Sequence, residues 1–235
     1  MLLAELEVHH SRPIAPTRRV AIGAATLPCD PAPGVGGVLL GAIAARFTPE
    51  LDPELVPDLV SLTHEVEAGR RIAQPRLRHR FQADRVGLAR SPHRLYRHED
   101  GALHATFTED RGLPGQMVLG AIYATQSMPA RLRGDVLAAV RRGIAWTGDV
   151  GPGLFLHLSG RGAGSLSSDA LTDPVGWALR TLGLDLDARP PARADVQRSF
   201  RQSLLDAHPD HGGDDGAAAG RIADITEARR ILLAS

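Results

Sequence analysis

Apolar residues recur along this chain at helical spacing in some stretches and in short β-rich runs in others, and the two patterns divide it into elements. Leu2 to Val8 and Arg19 to Leu27 read as strands. Gly36 to Phe47 and Pro53 to Gly69 read as helices, the second through Leu55, Leu59, Leu62 and Val66. His93 to His98 and Ala102 to Phe107 predict a hairpin around Glu99-Asp100-Gly101, because Asp-Gly is a favoured pair for tight hairpin turns. Helices are expected from Gln116 to Thr125 and from Pro129 to Trp146, and a further strand from Leu154 to Leu158. Residues 1–158 therefore read as a mixed α+β domain. Its end is marked by Ser159 to Ser168, whose Gly and Ser content suits a flexible linker over 159–172.

Beyond the linker the pattern is helical throughout, so the chain as a whole reads as α+β with a small all-α C-terminal domain over 173–235. Asp173-Pro174 offers an N-cap followed by proline at the first helical position, and Trp177, Leu179, Leu182 and Leu184 lead to a stop near Gly183. Val196, Phe200 and Leu204 recur at i, i+4 and i+8, while Arg198 and Arg201 fall off that stripe. Pro209 fixes its own φ, lacks an N–H and pushes His208 out of the α region, so this second helix is expected to stop at His208. His211 to Gly216 is turn chemistry, after which Ile222, Ile225, Ala228 and Leu232 define a third helix with Ile231 beside them.

A helix, a second helix, a His208-Pro209-Asp210 loop and a third helix resemble the J domain of DnaJ-like co-chaperones. Leu179-Arg180-Thr181-Leu182-Gly183-Leu184 is similar to the family's first helix and its Leu-Gly ending. Val196 to Arg201 is similar to the start of the second, with an aromatic at Phe200, and Ile225 to Leu232 to the third. The resemblance implies a helical-hairpin fold in which His208, Pro209 and Asp210, supported by Arg198 and Arg201, engage a DnaK-type heat-shock chaperone and stimulate its ATP hydrolysis. A carboxylate such as Asp210 on a rigid turn suits a charge-assisted pair with a partner's arginine, and the two arginines steer toward an acidic surface. The sequence departs from the family at Gln202, Asp206 and Ala207, where basic or aromatic residues are frequent, at Ser203, where leucine is usual, and at Arg229, where tyrosine is common. Those departures imply a weak or selective interaction.

Composition narrows the class further. With one cysteine, Cys29, the paired Cys-x-x-Cys zinc modules of the larger DnaJ proteins cannot form, and no Gly/Phe-rich stretch follows the J-like segment. The N-terminal domain is then expected to supply client or partner specificity. A lone cysteine suits a reducing cytoplasm, and Cys29 reads as a structural thiol rather than a nucleophile. Met1 to Glu7 lacks the basic start and apolar middle of a signal peptide, and the longest apolar run, Val35 to Ala45, falls short of the roughly 20 residues a bilayer needs. At 235 residues and 43% hydrophobic, the chain can bury one sizeable core plus a small three-helix unit. The 27 basic residues are all arginine, matched by 27 acids, so net charge favours no particular partner.

The α+β domain carries one chemical anomaly: nine arginines between Arg70 and Arg97, among them Arg76, Arg78 and Arg80, with a single acid, Asp84. Arginine pairs bidentately with phosphate and stacks on bases, so a nucleic-acid or phosphate-ligand surface is one reading. The preferred reading is a set of solvated arginines pairing with Asp58, Glu65, Glu67, Glu99 and Asp100. Gly34-Val35-Gly36-Gly37-Val38-Leu39 has the context of a dinucleotide loop but puts Leu39 at the third glycine, which leaves a tight turn with close helix packing. His9, His10, His79, His93, His98 and His104 lack ligand spacing and read as surface or hydrogen-bonded core groups. An enzyme in this domain is the third reading; none of its residues is assigned a catalytic role, and no cofactor or metal is expected.

Overall fold

The computed structural model describes residues 1–14, 17–99, 102–108, 112–160, 173–185, 191–207 and 215–234. The chain is α+β and divides into two compact units, Met1–Ser159 and Gly160–Ser235. Among the described residues no helix is long and apolar enough to cross a membrane. The Asp100-Gly101 turn, the linker from 161 to 172 and the tripeptide His208-Pro209-Asp210 lie outside the described residues.

The first unit is built on a five-stranded sheet in the order β3-β2-β1-β4-β5. Its strands are β1 (Leu2–His10), β2 (Arg18–Thr26), β3 (His79–Phe81), β4 (Ala89–Arg97) and β5 (Leu103–Thr106). β1 pairs antiparallel with β2 and β4, β4 pairs antiparallel with β5, and β2 pairs parallel with β3. Period-two alternation turns Ala4, Leu6, Val8 and His10 of β1 and Ser91, His93 and Leu95 of β4 to one fully or nearly fully buried face. On the other face Glu5 takes Arg94 at 2.8 Å and Glu7 takes Arg90 at 2.9 Å, cross-strand pairs of opposite charge.

Helices α1 (Gly34–Phe47) and α3 (Pro114–Ala124) lie against the strands, and α2 (Val56–Glu67), α4 (Ala130–Ile144) and α5 (Pro152–Leu158) pack on those two helices. α1 is apolar on every side: Val35 to Ala45 and Phe47 are all buried. The glycines at its start make a tight turn with close helix packing, as expected. Gly34 has φ +56°, and a Cβ on Gly36 would stand 2.6 Å from Cys29 Sγ. Farther along, a Cβ on Gly143 of α4 would meet the carbonyl oxygen of Gly41 at 2.0 Å, so the α1 and α4 backbones touch at a pair of glycines. Arg141 joins Glu67 at 2.7 Å, tying α4 to α2, and an Arg142 guanidinium N–H donates to the carbonyl of Leu158 at 2.6 Å, closing the end of α5.

Two expectations need revision. Leu154 to Leu158 is not a strand but the helix α5: Pro152 sits in its first turn, and Leu154, Phe155 and Leu158 are the buried positions, at i, i+1 and i+4. The alternation of Leu154, Leu156 and Leu158 suggested a strand, but packing on α1 and α4 selects the helical face. The strand β3 was not expected at all; it spans three residues, too few to show a period, and Phe81 holds it to α3 by a ring contact with Tyr123 at 4.5 Å.

In the second unit the described residues include three helices: α6 (Pro174–Thr181), α7 (Arg193–Asp206) and α8 (Asp215–Ala234). α6 starts as its sequence predicts, with the Asp173 carboxylate accepting from Gly176 N–H at 2.9 Å. It stops at Gly183, φ +64°, where Leu184 N–H reaches Leu179 O at 2.8 Å and Gly183 N–H reaches Arg180 O at 3.1 Å. That pair of bonds is a Schellman motif. Trp177, Leu179, Val196, Ile225, Ala228, Ile231 and Leu232 form the core, with Phe200 and Leu204 packed against it. α6 and α7 both pack on α8.

The glycine contact between α1 and α4 sets a stability test. Gly143→Ala is expected to cost about 2–3 kcal/mol, because a methyl group there must push two backbones apart. Gly153→Ala, with nothing within 4 Å of the added Cβ, is expected to change stability by less than about 0.5 kcal/mol. Urea unfolding followed by Trp146 fluorescence in a Trp177→Phe background reads both.

Candidate functional site

Two surfaces carry the residues that sequence singles out, one in each unit. In the second, α7 turns Val196, Phe200 and Leu204 inward and leaves Arg198, Arg201, Gln202 and Leu205 exposed along the opposite stripe. Arg198 is 77% exposed and, among the described residues, is tethered to Asp195 alone, at 3.2 Å. Arg201 Nε–H donates to its own helix at Gln197 O, 3.2 Å away. Both cations are therefore displayed to solvent rather than spent in the core, and Leu205, 63% exposed, adds an apolar contact between them and the end of the helix. Gln202 donates to the Asp206 carboxylate at 3.1 Å, so two of the residues that depart from the J-domain pattern are engaged with each other.

A third departure has a structural role that sequence did not reveal. The Arg229 guanidinium lies over the Phe200 ring, 4.6 Å from its centroid, so this cation–π contact joins α8 to α7 where the family commonly has tyrosine. On the outer side Arg230 makes a bidentate pair with Glu227, both bonds at 2.8 Å.

In the first unit the arginines between 70 and 97 do not share one surface. Arg90 and Arg94 are paired on the open face of β1 and β4, Arg85 donates to Ile22 O at 3.1 Å, and Arg76 pairs with Glu65 at 2.8 Å with both side chains mostly buried. Of the acids expected to take these arginines, Glu65 does so, whereas Glu67 is held by Arg141. Glu5 and Glu7 were missed as partners; their alternation on β1 with the apolar residues was the available signal. Arg80 is exposed on the edge strand β3. Arg78 belongs to a tight turn: Arg76 and His79 exchange backbone bonds at 2.8 and 2.6 Å, and Leu77 and Arg78 between them have φ +47° and +63°. These are the angles of a type I′ turn, which Asn-Gly or Asp-Gly fill at low cost and Leu-Arg does not.

Three of the six histidines named above are core residues. His10 Nε2 and Ser91 Oγ are 2.8 Å apart, and His93 Nε2 lies 3.4 Å from Met117 Sδ. The His93 ring makes edge contacts with Phe47 at 5.6 Å and packs beside Phe107 at 6.0 Å. His79 Nδ1 donates to Leu77 O at 2.7 Å. His98 and His104 instead face each other across the β4–β5 hairpin at 5.5 Å, and both are exposed. Among the described residues no cluster of three His, Cys, Asp or Glu side chains has the placement to hold a metal ion. The Cys29 thiol is buried and pushed up to about 11, which keeps it protonated.

Comparison of the chain with known protein families, with curated proteins and with solved structures finds no match.

The buried imidazoles set the acid sensitivity of the first unit. Burial, with His10 adding to it, holds His93 down at about 4 instead of 6.5. The unfolded chain therefore binds the extra proton between those two values, and stability falls as pH drops from 6.5 toward 4. Burial lowers His10 and His79 in the same direction. His93 alone is expected to cost roughly 3 kcal/mol across that window, and His93→Leu to flatten the slope, in urea unfolding read by Trp146 in the Trp177→Phe background.

Proposed function

We propose that this protein is a J-type co-chaperone of the cytoplasm. Residues 173–235 recruit a DnaK-type heat-shock chaperone and stimulate its ATP hydrolysis, and the α+β unit supplies the client or partner on which that chaperone acts. The observation that carries this reading is the division of α7 into two faces. Its apolar stripe is spent on the core with α8, and its basic stripe, Arg198 and Arg201, stays in solvent on the helix whose sequence runs on into His208-Pro209-Asp210. A helix serving only to complete a bundle has no need of two unpartnered-by-core arginines on its outer face, whereas an electrostatic docking surface does.

The reading assigns no chemistry to the unit itself. Its residues bind, and the partner ATPase carries out the hydrolysis. The arginine pairs at Arg76, Arg90 and Arg94 leave the nucleic-acid reading with less free charge than the sequence suggested, so it stands second.

The test is the steady-state ATPase rate of the cognate DnaK-type chaperone. Added protein is expected to raise that rate severalfold, Asp210→Asn to abolish the stimulation, and Arg198→Ala with Arg201→Ala to weaken it and to reduce its dependence on salt. Stimulation that is absent with the unaltered protein, or unchanged in Asp210→Asn, refutes the reading.

A further inference from the structure

A cleft of about 540 Å³ opens in the first unit between the β2–β3 edge, the segment before α2 and the start of α3. It falls within the roughly 300–1,000 Å³ typical of small-molecule sites. One wall, from the sheet edge, carries Arg18 and Arg78; the other carries Asp52, Glu54 and Asp58, together with Glu50, which is paired with Arg46. Among the described residues no ion pair joins the two walls. Opposite charges therefore face one cleft without neutralising each other. Leu55 and Leu113 add an apolar lining.

His79 is the most informative group in the cleft. It is 95% buried by its 5% relative exposure, and its Nε2 has no hydrogen-bond partner among the described residues. Leu77 O can only accept, so the 2.7 Å bond to Nδ1 places the ring proton on Nδ1 and leaves the Nε2 lone pair free. A buried acceptor without a donor is unfavourable, because it has lost its bond to water and gained none in return. Nε2 sits beside Gly115, 3.9 Å from where a Cβ on that residue would stand, at the first turn of α3. The Gly115 N–H is one of the donors that a helix start leaves without an intrahelical partner, and the helix dipole favours an anion there. The turn that delivers Arg78 and His79 to the cleft holds Leu77 and Arg78 at positive φ, strain of the kind that persists where a site requires it.

We propose that this cleft binds a free α-amino acid with an apolar side chain. Its carboxylate lies against Arg18, Arg78 and the Gly115 N–H; its ammonium lies toward Glu54 and Asp58 and donates to His79 Nε2. A simple anion would leave the acidic wall and the His79 acceptor unsatisfied, and a simple cation would leave the arginines and the helix start so. The site is independent of the J-like unit.

Thermal unfolding of the full chain tests this against each of the twenty free amino acids, their N-acetyl and C-amide forms, and inorganic phosphate. At least one apolar free amino acid is expected to raise the melting temperature, with neither blocked form doing so. Arg78→Gly is expected to raise the ligand-free melting temperature by about 2–4 °C, since glycine relieves the positive φ, and yet to weaken the amino acid at least tenfold. Asp58→Asn, on an exposed side chain, is expected to weaken it without a change in ligand-free stability. The ¹⁵N resonance of His79 Nε2 should move on titration as its lone pair is engaged. The proposal is overturned if no free amino acid shifts the melting temperature, if blocked forms or phosphate alone reproduce the shift, if Arg78→Gly leaves it intact, or if the His79 resonance does not respond.

Discussion

The first unit depends on one close approach, the contact of α1 with α4 through Gly41 and Gly143. Because no side chain stands between the two backbones there, α4 lies deep enough to cover α1 while Arg141 still reaches Glu67 on α2 and Arg142 still reaches the end of α5. On its opposite side α1 is set against β1 and β4, which places the Phe47 ring beside His93. The sheet, its buried imidazoles and the outer helices thus take their spacing from a pair of residues with no side chains. Packing to interior density around such a crossing leaves little slack, so a methylene at the wrong place is felt several residues away.

Most of the fold is legible in the sequence wherever a period runs long enough to be read. The helices from Gly36, Pro53, Gln116 and Pro129 and the strands at both ends of β1's ladder fall within a few residues of expectation. What was not legible has two causes. The seven residues of α5 carry an alternation that fits a strand and a spacing that fits a helix, and only the presence of α1 and α4 decides between them. β3 is too short to show a period, and the turn before it is closed by Leu77-Arg78, which are not turn-forming residues. The cleft beside that turn was correspondingly invisible, since Arg18, Asp58, His79 and Gly115 are brought together by topology rather than by any shared motif. The buried face of β1 and β4, by contrast, was readable in principle: His10 and His93 occupy the same alternating phase as Leu6 and Leu95.

The second unit shows how local signals and packing can agree. The Asp173 cap and the Gly183 stop specify α6, the Val196-Phe200-Leu204 stripe specifies the inner face of α7, and both helices pack on α8. Arg229 shows how a helical interface absorbs an unexpected residue: its long stem and planar head cover the Phe200 ring. The fold of that interface can therefore be kept while its chemistry changes. This separation lets the outer stripe of α7 vary in charge with little consequence for stability.

The all-round apolar character of α1 bears on how this protein must be made and how it fails. A helix that has no polar side has no acceptable resting place other than the finished core. Until β4 and the C-terminal half of the unit have emerged and closed over it together with β1, the segment from Val35 to Phe47 is a sticky peptide. The α+β unit is thus expected to mature late, only after its last helices have left the ribosome, and to go directly to aggregates when truncated, with no partly folded form that stays in solution.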